Sequence, residues 1–490
     1  MPSFPRTHAL LLAAALTGFL HAQSTVDGAI GGTVFDAQGA VVPKATITII
    51  NNGTGLTKRI TADDQGYYRA PQLQPGDYTV SVQAPGFSSF KSEHVTVEVS
   101  RLTSVEPHLA VGGANETVEV SAETPAINTQ LPDFSQTVNQ VQINELPING
   151  RRWSNFALLQ PGVVPDSNGF GLLSFRGISV LLNNNTVDGA DNNQAYFSEE
   201  RGRTRASYST SQFAVREFTV NTSNYSAEYG RAAGGVVNTV TKSGSNEYHG
   251  ILGFYDRDNS WGAKNPYVTL TNPNTFVTAP YKPEDKRFQY GFGVGGPIIK
   301  DRLFWFYTFD QQHRNFPGTA RVGTPSIFFS QPGATSTCAG TAAQCTGTSG
   351  ANTLASNLKI PYAQAAALYT QGLSAIAQNE LGTVPRKGDQ TINFPKLDWV
   401  INNANRFSVS YNRLRWDSPA GIQTQASNTY GNTSFGNDYV KEDWGVARLN
   451  TVFGANLNNE ARFQYGRDFE YENSQAPNAF ERPFSNNQFG

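Results

Sequence analysis

Few residues in this 490-residue chain are spaced for chemistry. Gly291, Gly293 and Gly296 stand in the G-x-G-x-x-G pattern that holds a dinucleotide pyrophosphate at a helix N-terminus. Pro297 opens a turn directly after them, no helix can follow, and the run reads as strand instead. Cys338 and Cys345 enclose six residues in a long irregular stretch. No histidine lies near them, so a small loop disulfide suits an exported chain better than a metal site. No H-E-x-x-H, P-loop or G-x-S-x-G occurs, and six histidines and two cysteines leave little for zinc or iron–sulfur chemistry. The expectation is no catalytic set, no metal and no cofactor. A different chemistry belongs to the pentad Glu116, Thr117, Val118, Glu119 and Val120. It is extended and lies between linker residues, so its backbone groups are free to extend the sheet edge of a partner or of a neighbouring domain.

Composition narrows what could position these residues. Lysine plus arginine number 37 against 39 aspartate plus glutamate, a net charge of -2 that gives no electrostatic case for nucleic acid. Charged residues are 16%, below the roughly 25% of a soluble domain, while aromatics reach 12%. With 46 glycines and 26 prolines, turns and short strands are favoured over long helices. Arg6, the apolar run 9–20 and the small residue Ala22 before Gln23 read as a signal peptide over 1–22. The run is shorter than the about 20 residues a spanning helix needs, and no later segment is longer. If this chain spans a membrane, it does so as a β-barrel.

Four further units follow. Residues 26–111 carry strand-like runs at 32–35, 45–50, 57–62, 67–70, 78–83, 94–99 and 104–110, with turn residues between them. Such even spacing predicts a small β-sandwich, and period-two alternation over 46–49 and 78–82 gives each strand one buried face. Residues 112–125 are linker around the pentad. Residues 126–246 are predicted as an α+β domain, with helical spacing over 135–145, a short helix over 153–159, and strands at 172–176, 185–188, 217–221 and 235–241.

Residues 247–490 change rhythm. Longer runs at 247–256, 287–296, 303–313, 391–401, 405–416, 439–453 and 459–471 are separated by alternately long and short gaps. Outer-membrane barrels sort their connections in this way. Phe288, Tyr290, Phe292 and Val294 share one face, as do Leu303, Trp305, Tyr307 and Phe309. Ala461, Phe463 and Tyr465 oppose Glu460, Arg462, Gln464 and Asp468. In the fifth run Arg413 and Arg415 follow Phe407, Val409 and Tyr411 on one face. An arginine at the lipid midplane costs about 2–4 kcal/mol, so these two lie above the bilayer or a bulge flips the register.

Several stretches then resemble a known family. The segment Tyr225 to Gly244, which holds Tyr229-Gly230 and Gly234-Gly235, resembles the end of the plug domain of TonB-dependent outer-membrane transporters. Phe175-Arg176-Gly177 and Val187-Asp188-Gly189 resemble the plug's arginine-glycine and aspartate-glycine elements. Residues 295–306 are similar to the first barrel hairpin of the Oar-like branch, and residues 26–111 resemble the carboxypeptidase regulatory-like sandwich, whose fold is carbohydrate-binding-like. The resemblance implies a mainly β chain: a transthyretin-like sandwich, an α+β plug and the first strands of an antiparallel transmembrane barrel. It implies that Glu116 to Val120 is a TonB box, and that Arg176 and Asp188 hold polar contacts in the plug. It further implies an outer-membrane transporter, not an enzyme, with the sandwich in the periplasm. Its partners would be TonB, outer-membrane lipid and a large or scarce solute, with an oligosaccharide among the candidates. The alternative is a surface adhesin or assembly protein with a carbohydrate-binding-like domain. Seven strands fall short of the about 22 of a plugged transporter barrel, so the expectation is a fragment of a protein roughly twice as long.

Overall fold

The computed structural model describes residues 25–490 apart from 113–116, 120–133, 167–171, 196–199, 203–205, 273–274, 276, 333–348, 422–426, 454–456 and 486–490. The segment 1–22, Cys338, Cys345, and Glu116 and Val120 of the pentad lie outside the described residues.

Alternation builds the first unit. Ile47 and Ile49 of Thr46–Asn51 are buried, as are Tyr78, Val80 and Val82 of Gly76–Gln83, and the two strands pair antiparallel. They sit in a five-stranded sheet with spatial order Thr117–Glu119, Ser89–Val97, Gly76–Gln83, Thr46–Asn51, Thr57–Thr61. A three-stranded sheet of Tyr67–Leu73, Gly28–Thr33 and Leu102–Ser104 supplies the other layer. Ile30, Tyr68 and Ala70 of that layer share one core with Ile47, Val80 and Val97. The run over 104–110 is not one strand. Leu102–Ser104 and His108–Leu109 are separate pieces, with Pro107, which has no N–H for a ladder, between them. The pentad is not a lone strand either. Thr117–Glu119 lies parallel to Ser89–Val97, with Val118 opposite Phe90, at the edge of the sandwich sheet.

The second unit is a five-stranded sheet with spatial order Phe134–Val138, Val215–Ser223, Val236–Thr241, Asn184–Val187, Ala190–Asp191. Val236–Thr241 is buried along its whole length, so its residues show no alternation. The helical spacing over 135–145 describes only its second half. Phe134–Val138 is a strand paired with Val215–Ser223. The helix Gln140–Glu145 starts after Asn139, whose side chain and that of Gln142 cap each other's backbone N–H. Trp153–Leu159 is a 3-10 segment that buries Trp153 and Phe156.

The third unit is a wall of seven strands in chain order, each antiparallel to the next: His249–Asp258, Lys286–Ile299, Leu303–Asn315, Lys387–Asn402, Asn405–Ser418, Asn437–Val452 and Asn458–Asn473. The sheet is open, with the first and seventh strands at its edges. The third to sixth strands alternate along most of their length. In the third, Phe304, Phe306, Thr308, Asp310 and Gln312 are buried on the side of the second unit, and Leu303, Trp305, Tyr307 and Phe309 face outward. The fifth and sixth strands keep continuous register from Asn405 to Ser418, so no bulge flips the face of Arg413 and Arg415. Both arginines stay outward, above Phe407, Val409 and Tyr411. Arg413 is opposite Asp443, which is opposite Arg467 on the seventh strand, and Arg415 forms an ion pair with Asp443 at 2.9 Å. A charged belt thus caps an apolar band. The short connections lie at one end of the wall. At the other, the gap between the third and fourth strands holds the helices Ser349–Leu358 and Tyr362–Glu380, elements the strand rhythm does not announce. Pro361 starts the second, and Ala363, Ala365, Ala366 and Ala367 are strong helix formers. No described helix is long and apolar enough to cross a membrane.

The band makes a depth-dependent prediction. Val409→Arg, in mid-band, is expected to cost about 2–4 kcal/mol on folding into lipid vesicles, and Asp417→Arg, beyond the belt, about 0–1 kcal/mol. Urea titration in vesicles reads both, and equal costs would remove the lipid-facing assignment of this face.

Candidate functional site

The wall's inward face sets polar side chains among apolar ones such as Phe304, Phe394 and Trp444, and the second unit fills the space beside it. Side chains from both meet at spaced contacts. The tightest centres on Asp188, which is buried and held in the left-handed region at φ 49. Its carboxylate accepts from the Thr241 backbone N–H at 2.9 Å, the Thr241 hydroxyl at 2.6 Å and Lys396 Nζ of the fourth wall strand at 3.3 Å. Lys396 Nζ also donates to Thr241 Oγ1 at 2.8 Å. Burial alone would raise the Asp188 carboxyl. Lys396 and the Thr241 donors outweigh it and hold the group below its ordinary value. The charge is therefore kept, and the second unit is pinned electrostatically to the wall.

Further contacts repeat this pattern. Gln390 donates to the Tyr208 carbonyl at 2.8 Å and accepts from the Ser207 N–H at 2.9 Å. Gln464 does the same with the carbonyl and N–H of Asp191, at 2.8 and 2.9 Å. Asp310 accepts from the Tyr208 and Ser211 hydroxyls at 2.7 and 2.6 Å. Side-chain amides and carboxylates on the wall thus satisfy loop backbone and hydroxyl groups that a bilayer could not. Apolar contact is confined to small clusters, such as Val187, Ala190 and Ala214 against Phe394, Trp444 and Val446.

The sandwich is fastened at the short-connection end. Asp27, fully enclosed, accepts from Arg406 at 3.1 Å, Arg448 at 3.2 Å and Asn450 at 2.9 Å, side chains of the fifth and sixth wall strands. To the second unit it is joined by the Val99 N–H donating to Glu217 at 2.6 Å, and by the Ser100 hydroxyl at 2.8 Å from the Tyr229 hydroxyl. Burial pushes the Glu217 carboxyl up to about 7, against the pull of Arg216 and the Val99 N–H.

The residues singled out in the sequence fall into three places. Asp188 and Gly189 face the wall, where the Gly189 carbonyl accepts from Arg462 and its φ of +72 favours glycine. Tyr229, Gly230, Gly234 and Gly235 form the return into Val236–Thr241. Gly230 O accepts from Asn184, and the Gly235 N–H donates to Asn183. A Cβ on Gly235 would lie 2.2 Å from the Phe175 ring, so this glycine lets the aromatic ring close over the strand. Arg176 and Gly177 do not join the site. Both are exposed at positive φ, and no side-chain hydrogen bond of Arg176 is seen among the described residues. Arg176 thus does not hold the polar contact expected of it. Sequence reasoning missed Asp27, Lys396, Arg406, Arg448, Gln390 and Gln464. A faint signal existed: Lys396 and Asp398 alternate with Leu397 and Trp399, the pattern of a polar inner face. Among possible cation ligands, Asp438, Glu470 and Glu472 bring carboxylate oxygens within 4.8 Å of one another. Exposed acidic groups often stand so without an ion.

Residues 29–110 match the carboxypeptidase regulatory-like domain, and residues 240–490 match the outer membrane beta barrel domain. The TonB-dependent transporter Oar of Myxococcus xanthus is 29% identical over 289 residues, 57% of this chain and 26% of that protein. Among solved structures, a ferric enterobactin receptor of Pseudomonas aeruginosa is 16% identical with a TM-score of 0.42, covering 70% of this chain and 41% of the receptor. The outer membrane transporter YddB of Escherichia coli is 14% identical with a TM-score of 0.42, covering 69% and 39%. The chain spans about a quarter of the curated relative's length.

Two measurements test the contacts. Lys396→Met strands a buried carboxylate and is expected to lower unfolding stability by about 3 kcal/mol, most of it regained when Asp188→Asn is added. A double mutant no more stable than the single would show that the pair is not coupled. For Glu217 the raised folded value means that its contribution is fully present below its unfolded value of about 4.3 and is lost as pH rises through about 7. The thermal midpoint should fall between pH 5 and pH 8, and Glu217→Gln should flatten that slope. An unchanged slope would assign the pH dependence elsewhere.

Proposed function

The chain belongs to the outer membrane beta barrel domain family, and from that premise we propose that it acts as a TonB-dependent transporter for a large or scarce solute. Its wall lies in the outer membrane, apolar face to lipid. The second unit is the plug, and the sandwich hangs on the periplasmic side, where the short connections are. An oligosaccharide is one candidate solute, on the strength of the sandwich fold alone.

The observation that carries this reading is the chemistry of the plug–wall contact. Its fastenings are side-chain amides, hydroxyls and ion pairs set among small apolar clusters. Polar contacts of this kind exchange for water at little net cost, because water replaces each partner. A plug held this way can shift under load and seat again, whereas one sealed by a continuous apolar core could not. The load would enter through Glu116 to Val120. TonB would pair with the pentad by strand addition and pull on the adjoining plug, breaking the Asp188–Lys396 and Gln464–Asp191 contacts in turn. For this the strand Thr117–Glu119 would leave the sandwich edge or present its other, unpaired side.

The test is binding of the purified periplasmic domain of TonB to the membrane-extracted protein. Val118→Pro removes a ladder N–H and is expected to weaken binding at least tenfold, by the cost of interrupting a short strand. A proline variant that binds TonB as well as the parent would sink the pentad as the coupling segment.

A further inference from the structure

At the long-connection end of the wall, three arginines face inward on one row. Arg257, Arg287 and Arg314 belong to the first, second and third strands, and their backbones pair directly: Arg257 with Arg287, and Arg287 with Arg314. Like charges placed directly opposite on adjacent strands destabilise a sheet. A fourth guanidinium comes from the plug. Arg151 follows Gly150 in a turn where both residues have positive φ, 58 and 78, and its guanidinium carbon lies 3.8 Å from the centre of the Tyr255 ring. Asp285 answers Arg314 through a bidentate pair at 3.0 Å. The Nε of Arg287, and the Nε and Nη2 of Arg151, are buried without a hydrogen-bond partner among the described residues. Arg151, Arg257, Arg287, Tyr255 and Gln289, with Asp256 as the one acidic residue, line a cavity of about 210 Å³ between plug and wall.

Buried guanidinium donors without acceptors are costly, and so is a row of like charges. One ligand chemistry relieves both: an oxyanion whose paired oxygens match the planar N–H fork. We propose that this cavity is a binding subsite for an anionic group of the solute, a carboxylate, phosphate or sulfate, gripped between Arg151 of the plug and Arg287 of the wall. The ligand would bridge the two bodies, so binding at the mouth would bear directly on how the plug is seated. Calling the anion part of a transported solute rests on the transport reading. The binding itself needs no TonB, so the two can fail separately.

The protein extracted from outer membranes is titrated with inorganic pyrophosphate, sulfate and citrate against chloride at constant ionic strength, following thermal midpoint and intrinsic fluorescence. The expected result is saturable stabilisation by at least one oxyanion, with apparent affinity at least tenfold weaker in both Arg287→Gln and Arg151→Gln. In chloride alone, Arg287→Gln should melt no lower than the parent, because it removes a repulsion. No saturable binding by any of the three, or equal affinity in parent and variants, would overturn the subsite. A lower melt of Arg287→Gln in chloride, with oxyanion binding kept, would assign the row a structural role and overturn it equally. Unaltered TonB binding in these variants would leave the transport reading standing whatever the anion result.

Discussion

A hydrocarbon layer offers no partner for a peptide group, and most of this structure answers to that fact. The wall satisfies its backbone by pairing strand to strand, which leaves two faces with opposite demands. Outside, alternate residues must be apolar up to the level where Arg413, Asp443 and Arg467 can reach water. Inside, the other alternate residues are free to be polar, and many of them bond to the second unit. Gln390 and Gln464 act as backbone surrogates, each offering a donor and an acceptor: Gln390 to the irregular backbone at Ser207 and Tyr208, Gln464 to Asp191 on the edge strand of the second unit's sheet. The described backbone around Ser207 and Tyr208 can therefore be irregular in a place where irregular backbone would otherwise be untenable.

The ion pairs follow the same logic at higher stakes. Asp188 and Asp27 are enclosed carboxylates that stay charged because cations from the wall meet them. Breaking such a pair costs more than forming it contributes. These contacts therefore serve orientation more than stability: one pins the plug to the fourth strand, the other pins the sandwich to the fifth and sixth.

The wall was legible in the sequence because period-two alternation is local and the loops sort by length. All seven runs lie within a few residues of the observed strands. The sandwich was legible for the same reason, except where the chain turns at Pro107. The plug was harder. Val138 fits a helical spacing and a strand equally well, and only the Asn139 capping box decides where one ends and the other starts. The contacts were hardest, since pairs such as Asp27 with Arg448 join residues far apart in the chain, and nothing near either residue marks its partner. Asp188 stood in a motif. Arg176, in the matching motif, is exposed and makes no side-chain hydrogen bond among the described residues, so a shared pattern carried the position of the backbone and not the role of the side chain.

The parallel pairing of Thr117–Glu119 with Ser89–Val97 has a consequence in concentrations. The two strands share one chain, with residues 98–116 between them, so each sees the other at an effective concentration set by that connection rather than by the bulk solution. Any external strand that needs the same edge competes against that concentration, and its apparent affinity falls by the fraction of time the segment is released. The sandwich then works as a threshold. It keeps the segment occupied against weak, chance β-pairing at the membrane surface and yields only to a partner that binds tightly or is itself held close by.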